Sequence, residues 1–508
     1  MITEVFTATT YGVDAFIVRV ETHIERAVFS FAIVGLPDSA VKESKERVAA
    51  AIKNSLFHFP VKRYTVNLAP ADVKKEGSGF DLPIAIGIIC ETSQVSPSIV
   101  RDYLFIGELS LDGKLRPVNG VLPIALEAKK NEFKGVILPV ENAKEAAIVE
   151  GIDIHPFETL IEVIDFLNGE VSPKPFRINV KELFEQERNY LLDFADVKGQ
   201  TEVKRAMEVA AAGSHNIIMI GLPGSGKTML AKRLPTILPP LTLDEALETT
   251  KIHSIAGLLP GNTAIISTRP FRSPHHTASD VSLVGGGPNA KPGEISFAHN
   301  GVLFLDELTE FKKNVLEVMR QPLEDRVVTI SRSKITVQYP CNFMLVAAMN
   351  PTPAGTQKET SMYSEFEVQK FLSKISGPIL DRIDLHVHVN PVKYQELSSK
   401  SDSEKSNKIR ERVVKARVIQ INRFKNRKGI YSNSSMGTKE IKEFCKIDSA
   451  SEDLMKMAIT KLGLSARAYD RILKVGRTIA DLDGIEKISP AHISEAIQYR
   501  SLDRTSWM

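Results

Sequence analysis

The residues best suited to chemistry form one glycine-rich run with the spacing GxxxxGK[ST]. Its members are Gly221, Leu222, Pro223, Gly224, Ser225, Gly226, Lys227 and Thr228, with Met229 beside them. The run follows a strand-like segment and opens a helix, which is the context that the motif requires. Glycines let backbone N–H groups curl around phosphate oxygens, Lys227 can reach the β- and γ-phosphates, and the Thr228 hydroxyl can bind Mg²⁺. The run therefore predicts a site for ATP and Mg²⁺.

A second motif lies downstream, where the apolar run 302–305 ends in Asp306 and Glu307. In a protein with a phosphate-binding loop, such a strand predicts that Asp306 holds Mg²⁺ through water and that Glu307 polarises the attacking water. An apolar run followed by two acids is common by itself. The prediction therefore depends on the glycine-rich run upstream.

Asn350 follows another apolar run, 343–349. An asparagine at the end of the strand beside Asp306 can hydrogen-bond the γ-phosphate or the water, which is a sensor role. The alternative is a turn residue at a strand end, favoured by Pro351 next to it.

Two arginines have the context of nucleotide sensors. Arg382 precedes the strand-like segment 385–389, which suits an arginine finger donated to the nucleotide of a neighbouring subunit. The alternative is an ion pair within the chain, with Asp381 or Asp384. Arg467, in a helical region, could supply a second sensor.

The pair His275-His276 offers nitrogen ligands on a loop. Adjacent side chains on a loop diverge, so a metal would need help from residues such as Asp280 and His299. The alternative, which we favour, is a structural or substrate-contacting role.

The secondary-structure pattern predicts an α/β multidomain protein. Residues 1–168 are mixed α/β, and 169–192 contain a linker rich in Pro, Ser and Gly. In 193–392, apolar strands alternate with helices, which is the pattern of a parallel sheet with crossovers. Residues 393–508 are almost purely helical, with a polar break at 429–437.

Composition and charge narrow the class of protein. Hydrophobic residues make up 43% and charged residues 25% of 508 residues, which excludes disorder as the main state. The three cysteines are far apart, no apolar run is long enough to span a membrane, and the N-terminus lacks an export signal. We therefore expect a cytoplasmic protein with no membrane contact.

Basic residues are concentrated toward the C-terminus. Residues 396–508 hold 23 Lys plus Arg against 15 Asp plus Glu, a net charge of +8, and the rest of the chain carries −5. Ten of the cations lie within 405–428, which suggests a polyanion as partner. A solvated helix face is the alternative, because apolar residues keep a helical period there.

Taken together, these motifs resemble the magnesium-chelatase-like AAA+ ATPases and specifically the ComM (YifB) family. The resemblance spans the chain and is carried by RSPHHTASD, GEISFAHNGVLFLDEL, ISGPILDRIDLHV and SARAYDRILKVGRTIADL. The resemblance implies an AAA+ module that assembles into a homo-hexameric ring. It also implies a helicase-like role, in which the ring promotes branch migration on branched or single-stranded DNA during natural transformation. Recombination proteins would be further partners. The resemblance assigns Arg382 as the arginine finger, Asn350 as sensor 1 and Arg467 as sensor 2.

The same resemblance covers residues 1–168, which look like the Lon-protease domain. In Lon, a Ser–Lys dyad hydrolyses peptides, and the lysine must deprotonate the serine. Here Gly79 stands at the serine position, with Ser78 one residue away, and Leu122 stands at the lysine position. We therefore expect a proteolytically inactive scaffold.

A predicted hairpin resembles the one that MCM-type helicases point into the ring channel. Strand-like runs 327–330 and 335–338 flank a basic tip, where Arg332 and Lys334 are candidates for DNA contact. A solvent-exposed basic turn is the alternative.

The chain departs from its family in one segment. Related proteins often carry cysteines after sensor 1, where this chain has Thr352, Ala354, Ser361 and Tyr363. Without thiolates, zinc cannot be held there in that way.

Two rival functions share parts of this pattern. A chelatase-like or chaperone motor that remodels a protein partner without DNA would use the same ATPase residues. An ATP-dependent protease would require the Ser–Lys dyad.

Overall fold

A computed structural model describes residues 3–186, 190–259, 263–332, 335–351, 375, 377–392, 403–427 and 429–500. The chain divides into two compact units. The first consists of Met1–Arg188 and Leu243–Ser267, and the second of Asn189–Thr242 and Thr268–Met508.

The strands of the described residues range in length from two to twelve residues. They are β1 Thr3–Tyr11, β2 Asp14–Glu25, β3 Ser30–Val34, β4 Arg63–Ala69, β5 Tyr103–Phe105, β6 Glu108–Leu109, β7 Leu115–Arg116, β8 Gly135–Pro139, β9 Asp153–Phe157, β10 Ile217–Ile220, β11 Phe271–Arg272, β12 Gly285–Gly286, β13 Lys291–Pro292, β14 Val302–Leu305, β15 Val327–Arg332, β16 Ile335–Pro340, β17 Met344–Met349 and β18 Leu385–His388.

The α-helices of the described residues are longest in the C-terminal part of the chain. They are α1 Ser39–Asn54, α2 Asp81–Glu91, α3 Pro97–Val100, α4 Val121–Lys130, α5 Ala143–Ala146, α6 Leu160–Leu167, α7 Val180–Gln186, α8 Thr201–Gly213, α9 Lys227–Arg233, α10 Leu243–Ile255, α11 Asp280–Val284, α12 Glu294–Phe297, α13 Lys313–Glu317, α14 Arg320–Asp325, α15 Gly377–Leu380, α16 Ser406–Arg423, α17 Thr438–Phe444, α18 Ser449–Leu462, α19 Ala466–Leu482 and α20 Pro490–Gln498.

The first unit is built on a seven-stranded mixed sheet in the order β3-β4-β2-β1-β5-β8-β9. Its antiparallel pairs are β1/β2 and β2/β4, and its other neighbours are parallel. Helix α2 is apolar on every side and buried from its first residue to Cys90, as expected for a helix in the centre of a core. Mixed α/β structure, predicted for this part of the chain, is thus confirmed.

Helix α10 belongs to the first unit, although the sequence pattern places it inside the 193–392 segment. Its end is fixed by polar contacts, because the Ser254 carbonyl accepts from the Gly120 N–H and the Ser254 hydroxyl donates to the buried Glu145 carboxylate. A side chain at Gly257 would collide with Asn119, at 2.7 Å. The segment 243–267 is therefore an excursion from the second unit's sequence into the first unit.

The second unit contains a five-stranded parallel sheet in the order β11-β14-β17-β10-β18. Strands β10, β14 and β17 are buried at every residue, which matches their continuous apolar sequences. In such a sheet the carboxyl ends of the strands lie along one edge, where ligands bind. The predicted parallel sheet is confirmed, and its edge carries the residues singled out above.

The C-terminal part of the second unit is helical, from α16 to α20. Helix α19 begins at an N-cap, where the Ser465 side chain accepts the Ala468 N–H, and it is buried on all sides from Val475 to Asp481. The predicted polar break at 429–437 contains a short 3-10 turn, Asn433–Ser435. Among the helices that the structure describes, none is long and apolar enough to cross a bilayer.

Candidate functional site

The glycine-rich run connects strand β10, which lies between β17 and β18, to helix α9. Gly224 and Gly226 have φ angles of +77° and +96°, which favour glycine, and a side chain at either would meet nothing within 4 Å. Gly221 is needed for a different reason, because a Cβ there would lie 2.4 Å from the Val389 carbonyl oxygen. The loop is thus an open backbone cradle at the N-terminus of a helix, which suits a phosphate.

The Lys227 ammonium is held inside this cradle. Its Nζ donates to the carbonyl oxygens of Gly221 at 2.6 Å and Leu222 at 2.9 Å, and to Oδ1 of Asn350 at 3.2 Å. Burial lowers the pKa of Lys227, and the charges of Asp306 and Glu307 act against that shift. A cation fixed among oxygen acceptors can exchange some of them for phosphate oxygens.

The two predicted Mg²⁺ residues lie side by side. The Thr228 hydroxyl donates to Oδ2 of Asp306 at 2.7 Å, which joins the start of α9 to the end of β14. Hydroxyl and carboxylate oxygens are ligands that Mg²⁺ prefers. The Ser225 Oγ, buried in the same loop, has no hydrogen-bond partner among the described residues. These groups fit ATP with Mg²⁺.

Glu307 has an unusual backbone. Its φ and ψ of 51° and 49° lie in the left-handed region, which is uncommon for a residue other than glycine, and its N–H donates to Oδ1 of Asp306 at 3.0 Å. Its half-exposed carboxylate lies 3.3 Å from Nδ1 of His276. The turn therefore presents the carboxylate outside the strand, as a group that polarises water requires.

Asn350 lies at the end of β17, beside the Lys227 ammonium. Its side chain thus faces the phosphate-binding loop, as a sensor requires. The contact argues against the alternative of a simple turn residue.

Arg382 forms an ion pair within the chain, as the alternative interpretation expects, and the partner that the structure shows is Glu324. Its guanidinium bonds the Glu324 carboxylate, while Asp381 binds Arg467 and Asp384 binds Arg471. Burial lowers the pKa of Arg382, and neighbouring arginines add to that shift. Its backbone is fixed because the Asn216 side chain donates to the Arg382 carbonyl at 2.9 Å.

Arg467 lies at the start of α19 and is two-thirds exposed. Its Nη1 donates to Oδ2 of Asp381 at 2.7 Å, one residue before Arg382. The two arginines predicted as nucleotide sensors are thus close together, and both are held by carboxylates of the same unit.

A buried polar cluster behind the site was not predicted from the sequence. His215 has Nδ1 at 2.9 Å from Oδ2 of Asp384 and Nε2 at 2.8 Å from the Thr478 hydroxyl. Burial would raise the pKa of Asp384, but Arg471 and His215 outweigh it and hold that pKa well below its usual range. This cluster joins the residues flanking β10 and β18 to helix α19.

The predicted hairpin is present as β15 and β16, paired from Val327 with Pro340 to Arg332 with Ile335. The Tyr339 hydroxyl on β16 donates to the Ala290 carbonyl at 3.0 Å. Lys334 and the side chain of Arg332 lie outside the described residues, as do residues 352–374, where the family cysteines are replaced. Their DNA contacts stay a prediction.

The basic segment 405–428 forms helix α16 and the turn after it, and many of its arginines are engaged within the chain. Arg412 binds Glu208 and Glu404, Arg417 binds backbone carbonyls of α8, and Arg423 binds Asp481. Gln420 is fully buried, whereas its neighbour Ile419 is 38% exposed. The helix therefore docks on its own unit, and its lysines remain on the surface.

In the first unit, the two positions that match the Lon dyad are packed by apolar groups. A Cβ at Gly79 would lie 3.3 Å from Cγ1 of Ile106, and Leu122 is fully buried. The Leu122 N–H donates at 2.8 Å to Glu145, whose burial raises its pKa. A buried carboxyl group thus caps the first turn of helix α4.

The His275 and His276 rings are in contact, with 4.1 Å between their centroids and 33° between their planes. His299 accepts the Asn342 N–H at 3.0 Å, and Asp280 accepts the Val281 N–H. Among the described residues, no three His, Cys, Asp or Glu side chains form a group that could hold a metal ion.

Comparison with known proteins covers nearly the whole chain. Residues 193–397 match the family described as magnesium chelatase, subunit ChlI, residues 20–142 match subunit ChlI of Mg-chelatase, and 403–500 match its C-terminal family. Competence protein ComM of Haemophilus influenzae is 44% identical over 503 residues, 98% of this chain and 97% of that protein. Uncharacterized protein YifB of Escherichia coli is 40% identical over 510 residues, with the same coverage. Lon protease 2 of Bacillus subtilis is 31% identical over 115 residues, 22% of this chain.

Proposed function

Because this chain belongs to the ComM and YifB family and carries magnesium-chelatase-type domains, we propose that it is an ATP-driven DNA motor. The motor assembles as a homo-hexameric ring and promotes branch migration of recombination intermediates during natural transformation. It works in the cytoplasm on branched or single-stranded DNA, with recombination proteins as further partners.

The proposal of ATP hydrolysis is supported by one observation: the ends of strands β10, β14 and β17 meet at the glycine-rich loop. Lys227 and Thr228 contact Asn350 and Asp306, respectively, and Glu307 follows Asp306 directly. In this proposal, Lys227 and the loop N–H groups bind phosphate oxygens, and Thr228 and Asp306 hold Mg²⁺, which neutralises charge that develops on the phosphates. Glu307 orients water and takes its proton, and Asn350 keeps that water aligned.

Arginines complete each site from outside the loop. Arg382 acts as the finger on the nucleotide of the neighbouring subunit, and Arg467 acts as sensor 2. Both arginines are paired with carboxylates in the single chain, so the proposal requires that ring assembly with ATP replaces Glu324 and Asp381 by phosphate oxygens.

For the N-terminal unit we propose a Lon-like fold without proteolytic activity. A nucleophile needs a base within hydrogen-bond reach, and the apolar packing around Gly79 and Leu122 provides neither group.

One observation favours the second candidate, a motor that remodels a protein partner without DNA. Three arginines of α16 that a polyanion could use are bound within the chain, so the basic segment offers less free charge than its composition indicates. A protein-remodelling motor would use the same ATPase residues as a DNA motor. The two candidates therefore differ only in what stimulates ATP hydrolysis.

Turnover of ATP with and without DNA separates the two candidates. We expect purified wild-type protein to hydrolyse ATP faster when single-stranded or junction DNA is added, and Glu307→Gln to bind ATP without turnover. Turnover that ignores DNA would favour the protein-remodelling candidate, and absence of turnover in the wild type would contradict both.

A further inference from the structure

His276 contacts the side chain that the proposed mechanism uses to polarise water. Its Nδ1 lies 3.3 Å from Oε2 of Glu307. Its ring also packs edge-on against Phe311, with 6.5 Å between centroids, and against His275. Three contacts therefore fix this imidazole beside the carboxylate.

The Glu307 backbone is held by two hydrogen bonds, whereas its side chain is half-exposed. The Glu307 N–H bonds Asp306, and the Glu307 carbonyl accepts the Glu310 N–H at 2.8 Å. The side chain is 53% exposed, and its one ion-pair contact among the described residues is His276. The position of the carboxylate thus depends on His276 more than on its own strand.

The segment that carries His276 reaches the β15–β16 hairpin at its other end. It passes through α11, capped by Ser279, to the short pair β12–β13. A Cβ at Gly285 would lie 2.8 Å from Cδ1 of Ile330 on β15, and Ala290 accepts the Tyr339 hydroxyl of β16. Residues 276–290 therefore connect Glu307 to the hairpin through one continuous stretch of chain, in which Leu283, Gly286 and Ala290 are buried.

We infer that His276 is a positioning residue that sets the Glu307 carboxylate and makes ATP hydrolysis depend on the state of the β15–β16 hairpin. The inference rests on the proposed function, because it needs Glu307 to act on water and the hairpin to contact the polymer. A hairpin that shifts on binding DNA moves Gly285 and Ala290 with it, and His276 then releases or re-orients Glu307. Coupling of this kind needs an element that both sites contact, which 276–290 supplies.

The variants His276→Ala and His276→Asn test this inference, with His275→Ala as the matched control. His275 is the neighbour in sequence, and its Nδ1 bonds the Thr277 hydroxyl at 2.9 Å rather than Glu307. The Asn amide can place a donor where Nδ1 stands, so it should retain part of the coupling. For each variant, ATP affinity reports on nucleotide binding and thermal stability reports on folding, both independently of hydrolysis.

For His276→Ala we expect ATP affinity to stay within about twofold of the wild-type value, while kcat changes by about tenfold. We also expect DNA to lose its effect: the ratio of kcat measured with a single-stranded oligonucleotide to kcat measured without it should fall to about one. His276→Asn should keep a ratio between those of Ala and wild type, and His275→Ala should keep the wild-type ratio.

Two results would overturn the inference while leaving the proposed function intact. One is an unchanged kcat and stimulation ratio in His276→Ala when the wild type hydrolyses ATP. The other is an equal loss of stimulation in His276→Ala and His275→Ala with lowered stability, which means a packing role for the loop. A wild type without ATP turnover would contradict the proposed function itself and this inference with it.

Discussion

The Nζ of Lys227 lies 3.2 Å from Oδ1 of Asn350, although 123 positions separate the two residues. Lys227 opens the helix after β10, and Asn350 ends the adjacent strand β17. The contact links the group that binds phosphate to the group that senses it.

Replacing Lys227 by Ala should abolish ATP binding, because the variant removes the cation that the loop carbonyls and Asn350 hold in place. Binding of a fluorescent ATP analogue measures this directly. Lys232→Ala, an exposed lysine on the same helix, is the matched control and should bind normally. Tight binding by Lys227→Ala would show that the loop is not the nucleotide site.

Arg382→Ala should keep ATP binding and lose turnover by a factor of about 10³ or more, as expected for an arginine finger. Mixing the Arg382→Ala and Glu307→Gln proteins tests whether Arg382 acts on the nucleotide of its own subunit or on that of the neighbouring subunit. In a mixed ring, a site with an intact Glu307 can receive Arg382 from its neighbour, so turnover should partly return. If mixtures over all ratios stay inactive, Arg382 does not act between subunits.

Asp384→Asn should destabilise the protein by about 3 kcal/mol or more, because it removes the charge of a buried carboxylate that pairs with both Arg471 and His215. Thermal denaturation measures the change. Asp381→Asn, whose partner Arg467 is 68% exposed, is the control and should cost less than about 1 kcal/mol.

The Asp384 effect has a defined pH dependence. Its folded pKa is held below the ordinary value of 3.8, so its contribution to stability is fully present above that value and is lost as the pH falls toward the folded pKa. The difference in melting temperature between wild type and Asp384→Asn should therefore be constant near neutral pH and shrink in acid. A difference that grows in acid would contradict the assignment.

The double variant Arg332→Ala with Lys334→Ala should lower the affinity for DNA. It should also reduce the slope of log affinity against log salt concentration by roughly one unit per lost phosphate contact. A variant of exposed lysines on α16, Lys408→Ala with Lys415→Ala, removes the same charge elsewhere. If only the α16 variant changes the slope, DNA follows that helix and not the hairpin.

The sequence motifs predicted the site because their members are close together along the chain. Eight consecutive residues define the phosphate-binding loop, and buried apolar runs that end in Asp306 and Asn350 identify neighbouring strands. Local signals also define some helix ends: α1 begins at Ser39, where the Asp38 side chain accepts the Val41 N–H.

Other features depend on contacts between distant residues, which no local pattern encodes. Arg382 pairs with Glu324, 58 positions away, while its sequence neighbours Asp381 and Asp384 bind Arg467 and Arg471. Composition also overstated the free charge of segment 405–428, because packing of α16 engages its arginines.

The placement of α10 in the first unit was likewise hidden from the sequence. Its helical pattern is ordinary, and its end is held by contacts with residues distant in sequence, among them the buried carboxylate of Glu145, which accepts from Ser254. His276 is similar, since only the fold brings it to Glu307.

Branch migration of a labelled four-way DNA junction by the purified protein with ATP and Mg²⁺ tests the central claim most directly. We predict that the wild type resolves the junction into its duplex products and that Glu307→Gln binds the junction without resolving it. A wild type that hydrolyses ATP at a rate unaffected by DNA and leaves the junction intact would contradict the claim of a DNA motor.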